Sequence, residues 1–335
     1  MNESGKILSD THGREITYLR ISITDRCNLR CSYCTPKDGR VNWLSHEDIL
    51  SYEEIERLAC AFSGLGVRKI RLTGGEPLVR KGVDGLAGRL GAIPGIKEVC
   101  ITTNGILLED MAQPLFDAGV RHINISLDTL RPERFLKITG RDLFQHVWQG
   151  IQKAIETGFT KIKLNAVAMN GINDDEIADL ARLSLDLPLE VRFIEFMPVG
   201  SATTWEKSRH LSCDAIKEMV ETSLGRLIPV SQGKDSGPAM IYRLEGAKGS
   251  VGFISPLSRH FCGTCNRVRI TPDGRLRLCL FSDNEIDLKT RLRAGIPDDE
   301  LKTFLKGAIA QKPKGIISLK DKTPHCTRAM SRIGG

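Results

Sequence analysis

The sequence predicts an α/β protein built on a parallel sheet, and three observations carry that prediction. Short β-branched runs alternate with longer amphipathic stretches from residue 16 to 197. The amphipathic stretches carry helix start and stop signals. Alternation of this kind implies right-handed βαβ crossovers. The runs are ITYLRISIT (16–24), KIRLT (69–73), EVCITT (98–103), HINISLD (122–128), KIKLNAVAM (161–169) and LEVRFIEFM (189–197), six candidate strands. Between them, SYEEIERLACAFSGLG opens on a capping box, Ser51 with Glu54, and puts Ile55, Leu58, Ala59, Phe62 and Leu65 on one face before glycine stops it. FQHVWQGIQKAIETG repeats the logic through Phe144, Val147, Trp148, Ile151 and Ile155 and ends at Gly158. Six βα units are too few for an eight-stranded barrel, so the sheet is either open or an unfinished barrel closed by something else.

After about residue 200 the pattern changes to glycine-rich QGKDSG, a strand SVGFIS, and RVRITPDGRLRLCL, whose two alternating runs flank a turn at Pro272, Asp273 and Gly274. The expected division is therefore a parallel-sheet region at 14–200 and a second region at 201–335. At 335 residues the chain is long enough for a large core plus an appendage. It is 41% hydrophobic and 27% charged, and no apolar run approaches the roughly 18 residues of a membrane span. The N-terminus, MNESGKILSDTHGRE, reads as neither a secretory signal nor a transit peptide, which makes cytoplasm the expectation. Net charge is +7, with Arg and Lys interspersed among Asp and Glu except near the end. That distribution argues against nucleic acid and allows a phosphorylated small molecule. Ten cysteines in a cytosolic chain point to metal or redox work rather than disulfides.

Three of them follow the first strand in CNLRCSYC, as Cys27, Cys31 and Cys34. The spacing would also suit one buried helical face, but Asp25, Arg26, Asn28 and Arg30 around it suit a ligand loop better. A zinc site needs a fourth donor, whereas three thiolates can hold three irons of a 4Fe-4S cluster and leave the fourth open. C-x3-C-x2-C with Tyr33 before the last cysteine resembles the signature of the radical S-adenosylmethionine (radical SAM) enzymes. In that family the open iron chelates the amino and carboxylate groups of the cofactor. The resemblance implies an incomplete parallel (β/α)6 TIM-like barrel of the radical SAM type. The second strand ends in Thr73-Gly74-Gly75-Glu76-Pro77, similar to the family segment whose backbone approaches the methionine amino group, which makes Gly75 a cofactor contact. Ser126 and Met197 fall where the family contacts the rest of the cofactor, although either also reads as a cap or a packing residue.

A second set, Cys262, Cys265 and Cys279, spans the expected hairpin. From spacing alone it could be a zinc site completed by His260 or Cys326. Arg267 and Arg269 leave one face of the strand beside it. Arg20, Lys69, Arg71, Lys163 and Arg192 are expected at the barrel mouth, where buried cations require an anion such as a triphosphate. From YLRISITDRCNLRCSYC through IRLTGGEPL, TTNG, INISLD and RFIEFMPVG to FCGTCNRVRI, LCLF and Gly334-Gly335, the chain resembles the GTP 3',8-cyclase family of molybdenum cofactor biosynthesis. The resemblance implies a second 4Fe-4S cluster on Cys262, Cys265 and Cys279, facing guanine, and GTP contacts from Arg20, Lys69, Arg71, Thr102, Lys163, Arg192, Arg267 and Arg269. It further implies a mobile tail whose Gly334 and Gly335 reach the active site and assist catalysis beside Arg267 and Arg269. A flavodoxin or ferredoxin electron donor, cyclic pyranopterin monophosphate synthase as the next enzyme, and a homodimer as the assembly to look for come with it. The rival readings are a radical SAM enzyme acting on a peptide or RNA, and a metal-stapled RNA-binding protein.

Overall fold

A computed structural model describes residues 8–35, 42–200, 205–231, 233, 237–315 and 326–334. Six parallel strands form its centre in chain order: β1 (Tyr18–Ser22), β2 (Lys69–Thr73), β3 (Glu98–Thr103), β4 (His122–Ser126), β5 (Lys161–Ala168) and β6 (Leu189–Glu195). Helices α1 (Tyr52–Ser63), α2 (Val83–Gly91), α3 (Leu108–Asp117), α4 (Pro132–Thr139), α5 (Phe144–Thr157), α6 (Ile177–Asp186) and α7 (Cys213–Leu224) follow them as crossovers. The capping box of α1 is present, Glu54 N donating to Ser51 Oγ at 3.1 Å and Ser51 N to the Glu54 carboxylate at 2.8 Å. Farther along the crossover series, α5 stops where Gly158 turns left-handed at φ 87.

The C-terminal region completes the sheet from both sides. After the antiparallel pair β7 (Ile228–Pro229) and β8 (Met240–Arg243), strand β9 (Ser250–Ile254) lies parallel to β6. Strand β10 (Arg267–Ile270) lies parallel to β1, with β11 (Arg275–Arg277) and β12 (Glu285–Asp287) antiparallel beyond it. The order β12-β11-β10-β1-β2-β3-β4-β5-β6-β9-β8-β7 is thus one sheet with eight parallel strands in the middle. Two last helices, α8 (Lys289–Arg293) and α9 (Asp298–Ala310), pack outside, α9 against α1.

Strand alternation here is inverted relative to a filled barrel. Ile70, Leu72, Ile101, Ile123, Ile125, Leu164, Val191 and Phe193 turn outward into the main core with Leu58, Phe62, Leu86, Leu115, Ile151 and Leu180 of the helices. The opposite face of the same strands is polar, so the inside of the curve is a ligand cavity rather than packed side chains. No helix among the described residues is long and apolar enough to cross a membrane.

Candidate active site

A cavity of about 400 Å³ occupies the inside of the sheet, and the alternate residues of each strand line it. Register places Arg269, Arg20 and Arg71 in one row across β10, β1 and β2, with Arg267, Tyr18 and Lys69 in the row before it. Asn124 pairs with Lys163, and Ser126 and Arg192 both pair with Asn165. Both cysteine triads also line this cavity, but at opposite ends. Cys27, Cys31 and Cys34 follow β1 at the C-terminal ends of the parallel strands, whereas Cys262 and Cys265 precede β10 and Cys279 follows the antiparallel β11. The second triad is therefore at the N-terminal end. Five strand residues at about 3.3 Å each separate the ends by roughly 15 Å.

The first triad lies on a turn, not a helix, with Cys34 N and Thr35 N both donating to Cys31 O at 2.9 Å. Arg30 N and Ser32 N tie the loop to Thr139 O and Ile138 O at 2.8 Å each. From the other side Gly75 N donates to Thr24 O and Glu76 N to Arg26 O, both at 2.8 Å. A side chain at residue 75 would collide with the carbonyl of Arg26 and lie 2.6 Å from that of Asp25, so glycine permits the contact between the two loops. Glu76, fully enclosed, accepts from Thr103 Oγ1 at 2.7 Å, Asn104 N at 2.6 Å and Leu78 N at 3.0 Å, and burial raises its carboxyl to about 7. Asn104 in turn donates to Asn28 Oδ1 at 2.7 Å beside Cys27. Tyr33 Oη donates to Asp128 Oδ2 at 2.5 Å, and Asp128 Oδ1 accepts from Val167 N at 2.8 Å. Sequence reading singled out Tyr33 and Gly75 but missed Glu76, Asn104 and Asp128, the polar groups that hold them.

The second triad rests on Arg14 and Lys312, which sequence reading also passed over. The Arg14 guanidinium donates to Cys262 O at 2.8 Å, Pro313 O at 2.7 Å and Lys314 O at 3.0 Å, while Asp10 balances its charge at 2.5 Å. Lys312 Nζ donates to Arg267 O at 2.9 Å and to Leu278 O. These bonds bring the two arms of the β10–β11 hairpin and the segment after α9 to one point. Of the two candidate fourth ligands for a zinc site, Cys326 Sγ is taken up by Arg277 Nη2 at 3.1 Å, whereas His260 Nδ1 lies 2.7 Å from Pro256 O, which leaves its Nε2 to bind.

Spacing of the sulfurs discriminates between a single ion and a cluster. Among the described residues, the one set of three His, Cys, Asp or Glu donors lying within 4.8 Å of one another is Glu98, Cys100 and His122. At least one pair of sulfurs in each cysteine triad is therefore farther apart than 4.8 Å. A Zn–S bond of 2.3 Å would put tetrahedral sulfurs only about 3.8 Å apart. Neither triad is therefore closed around one zinc ion, and three thiolates are the donor set of a 4Fe-4S cluster with one open iron. Burial pushes the Cys27 thiol up to about 11 and the Cys34 thiol up to about 12, so without a metal these sulfurs would stay protonated at neutral pH. At the other end burial also acts to raise Cys265, but Arg267 and Lys312 beside it bring it down to about 7.

The cations do not gather at the mouth as expected but run the depth of the cavity. Lys69, the first residue of β2, sits at the N-terminal end with its Nζ 2.7 Å from both Glu98 oxygens. That ion pair already uses the Glu98–Cys100–His122 set. Arg192 pairs with Glu190, and Arg71 donates to Tyr18 Oη, to Ile101 O at 3.0 Å and to Thr102 Oγ1 at 3.3 Å. Lys163 is 5% exposed, and burial with the repulsion of Arg192 and Arg71 lowers it to about 7. Burial and the neighbouring Arg20 and Arg267 pull Arg269 well below its usual value. Arg269 Nη1 donates to Gly334 O at 2.5 Å. Gly334 has φ 73, and a Cβ there would collide with Thr73 Oγ1 and lie 3.0 Å from Ser22 Cβ. Gly335 lies outside the described residues. Ser126 and Met197 both line the cavity, where Asn124 and Asn165 also present amide oxygens that have no partner among the described residues.

Known proteins fit this geometry. The model of the radical SAM superfamily matches residues 21–184, and that of the molybdenum cofactor synthesis C family matches residues 189–317. The chain is 48% identical to the GTP 3',8-cyclase of Pelotomaculum thermopropionicum over 98% of its own length and 100% of that protein. It is 49% identical to the GTP 3',8-cyclase of Moorella thermoacetica, with the same coverage. Among solved structures, Streptococcus suis SuiB bound to S-adenosylmethionine superposes with a TM-score of 0.59 at 16% identity, covering 92% of this chain and 75% of that one. Methylornithine synthase superposes at 0.52 and 18% identity, covering 93% and 84%. Both share the fold. Two cysteine triads at the ends of one cationic barrel, matched over nearly the whole chain by these relatives, place the protein in the GTP 3',8-cyclase family of radical SAM enzymes.

Proposed function

We propose that the chain is a GTP 3',8-cyclase, converting GTP to (8S)-3',8-cyclo-7,8-dihydroguanosine 5'-triphosphate in the first step of molybdenum cofactor biosynthesis. The observation that carries the reading is the single cavity with a thiol triad at each end and cations between them. The region 14–200 supplies the cofactor end and the strand residues Arg20, Lys69, Arg71, Thr102, Lys163 and Arg192 of the substrate site, and 201–335 supplies the second triad, Arg267, Arg269 and the tail. Cys27, Cys31 and Cys34 hold the first 4Fe-4S cluster, and Cys262, Cys265 and Cys279 the second. When bound, the first cluster and S-adenosylmethionine supply a one-electron cleavage of a carbon–sulfur bond and so a radical able to take the 3' hydrogen of GTP.

The protein's own residues bind, orient and shield. Tyr33, Gly75, Ser126 and Met197 surround S-adenosylmethionine, and the unpartnered amide oxygens of Asn124 and Asn165 suit hydroxyl or amino donors of a nucleoside. Arg20, Lys69, Arg71, Thr102, Lys163, Arg192, Arg267 and Arg269 receive GTP. Seven of these eight residues are cations, and the mutual repulsion of Lys163 with Arg192 and Arg71, and of Arg269 with Arg267, marks a positively charged cavity that an incoming triphosphate would relieve. Holding the sugar between the two ends limits the radical to one accessible hydrogen and keeps water from the C3'–C8 bond-forming step. Gly334 and Gly335 assist from the tail. A flavodoxin or ferredoxin system as electron source, cyclic pyranopterin monophosphate synthase as consumer of the product, and a cytoplasmic homodimer complete the reading.

Anaerobic reconstitution tests it. The expected protein holds about eight irons per chain, cleaves S-adenosylmethionine only when GTP is present, and transfers deuterium from the 3' position of labelled GTP into 5'-deoxyadenosine. Cleavage that ignores GTP, or label that stays in the nucleotide, would refute it.

A further inference from the structure

Residues 326–334 leave the substrate cavity by a route fastened well away from the terminal glycines. Cys326 bridges to Val199, and Gly200 N donates to Cys326 O at 2.7 Å. Thr327 N donates to both oxygens of Asp283 at 3.1 Å, and its hydroxyl to Oδ2 at 2.9 Å. Arg328 then forks between two carboxylates, Nη1 to Glu285 Oε2 at 2.6 Å and Nη2 to Asp273 Oδ1 at 2.5 Å. Asp273 stands in the turn between β10 and β11, and Glu285 opens β12. The three-strand meander that carries Cys279 therefore also presents the acidic half of this contact.

These ion pairs differ from an ordinary surface bridge. The side chains of Arg328, Asp273 and Glu285 are 16%, 19% and 20% exposed, and the fork is bonded at both tips. Burial opposes both charges, yet the bonds hold Asp273 below and Arg328 above their usual values. Glu285 is shared: its other oxygen accepts from Arg277, which also donates to Ser282 O at 2.5 Å in the turn just after Cys279. From Arg328 the chain makes one tight turn at Met330–Arg332, buries Ile333 against Val199, Phe281 and Cys326, and delivers Gly334 O to Arg269.

We propose that Thr327 and Arg328 are positioning residues that clamp the tail to Asp273, Asp283 and Glu285 and thereby set the register at which Gly334 meets Arg269. The consequence for turnover rests on the functional reading above; the clamp itself does not. Gly334 has no side chain to choose its own depth, and its bond to Arg269 is a single hydrogen bond to a carbonyl. One inserted residue would advance the tail by about 2 to 3.5 Å, enough to break that bond.

The test uses anaerobically reconstituted protein carrying Arg328→Gln, Arg328→Lys, or one serine inserted between Arg328 and Ala329. In Arg328→Gln, which loses both ion pairs, hydrogen exchange of the 326–334 peptide, measured without GTP, is expected to speed by at least about tenfold, the minimum for one charge-assisted contact. Its kcat is expected to fall by at least about tenfold while iron content holds and KM for GTP moves less than about threefold. Arg328→Lys, which can keep one of the two ion pairs, should fall between. The insertion variant should keep the protection of residues 326–328 and still lose kcat. Unchanged exchange in Arg328→Gln, or full turnover in the insertion variant, overturns the proposal. If no form of the protein turns over GTP, the functional reading fails, and the exchange measurement still decides whether the clamp exists.

Discussion

Replacing Lys163 with methionine should stabilise the substrate-free protein while weakening its hold on GTP. The ammonium is buried among Arg192, Arg71 and Lys69, and burial first, then those charges, lower it from 10.5 to about 7. The folded pKa lies below the unfolded one, so between about pH 7 and 10.5 the unfolded chain binds the extra proton and stability rises with pH. The cost of Lys163 is full below about pH 7 and gone above 10.5. A displacement of about 3.5 units at 1.36 kcal/mol each sets a ceiling of about 5 kcal/mol, of which relaxation and water penetration leave roughly half. Methionine, close in length and uncharged, removes that cost. Thermal unfolding of the reconstituted protein should show a midpoint a few degrees higher at about pH 7, with the gain shrinking toward pH 9 to 10. Against GTP the same variant loses one charge-assisted contact, about 1.5–3 kcal/mol or roughly 10- to 150-fold in Kd. In the parent protein, GTP binding should take up a proton above about pH 7, seen by calorimetry in buffers of different ionisation enthalpy. The reasoning is refuted if Lys163→Met melts no higher at neutral pH and the parent binds GTP without proton uptake.

Other perturbations read out other parts of the site. At Glu98 burial favours the neutral form, but hydrogen bonds from His122, Cys100 and Lys69 hold the carboxyl well below its usual range. Glu98→Gln should therefore cost about 1–3 kcal/mol at neutral pH, a difference that fades as acid unfolding is followed down through and below about pH 4.5. Gly75→Ala forces a Cβ into the carbonyls of Asp25 and Arg26, so iron content should drop by about four per chain, with the second cluster retained by spectroscopy. Deleting Gly334 and Gly335 should leave both clusters intact by iron count and abolish cyclisation by product analysis.

The six central strands and the polarity of their inner face were legible because alternation has a two-residue period that local sequence cannot hide. KIRLT places Lys69, Arg71 and Thr73 inward and Ile70 and Leu72 outward without ambiguity. Both cysteine triads were legible for the same reason of local spacing. What local sequence does not carry is the partner of a strand. RVRI reads as half of a hairpin, which it is, but its other edge pairs with β1, some 250 residues earlier, and does so in parallel. That pairing, rather than any motif, moves the second triad to the N-terminal end and spreads the cations down the cavity. Arg14 and Lys312 escaped notice because their work is done on backbone groups from distant segments, and Glu76 and Asp128, although inside quoted motifs, were assigned no role because their partners lie on other strands.

Strand direction explains why one cavity can serve two clusters. Had β10 joined β1 antiparallel, Cys262 and Cys265 would have emerged beside Cys27, and both triads would have crowded one rim. Parallel pairing instead sets Arg267 level with Tyr18 and Arg269 level with Arg20, so each strand of the seam contributes cations to the middle and a thiol triad to one end. The ends of the parallel strands lie roughly 15 Å apart, and on the functional reading proposed above the cofactor sits at one end and the guanine of GTP at the other, with the hydrogen passing between them in the middle. On this argument, weakening the β1–β10 seam should uncouple cofactor cleavage from GTP before it empties either triad. Most of the bonds that fix the loops carrying the sulfurs lie outside the seam: Gly75 N and Glu76 N hold the Thr24 and Arg26 carbonyls, Arg14 holds that of Cys262, and Lys312 holds that of Leu278 while also reaching Arg267 O in β10.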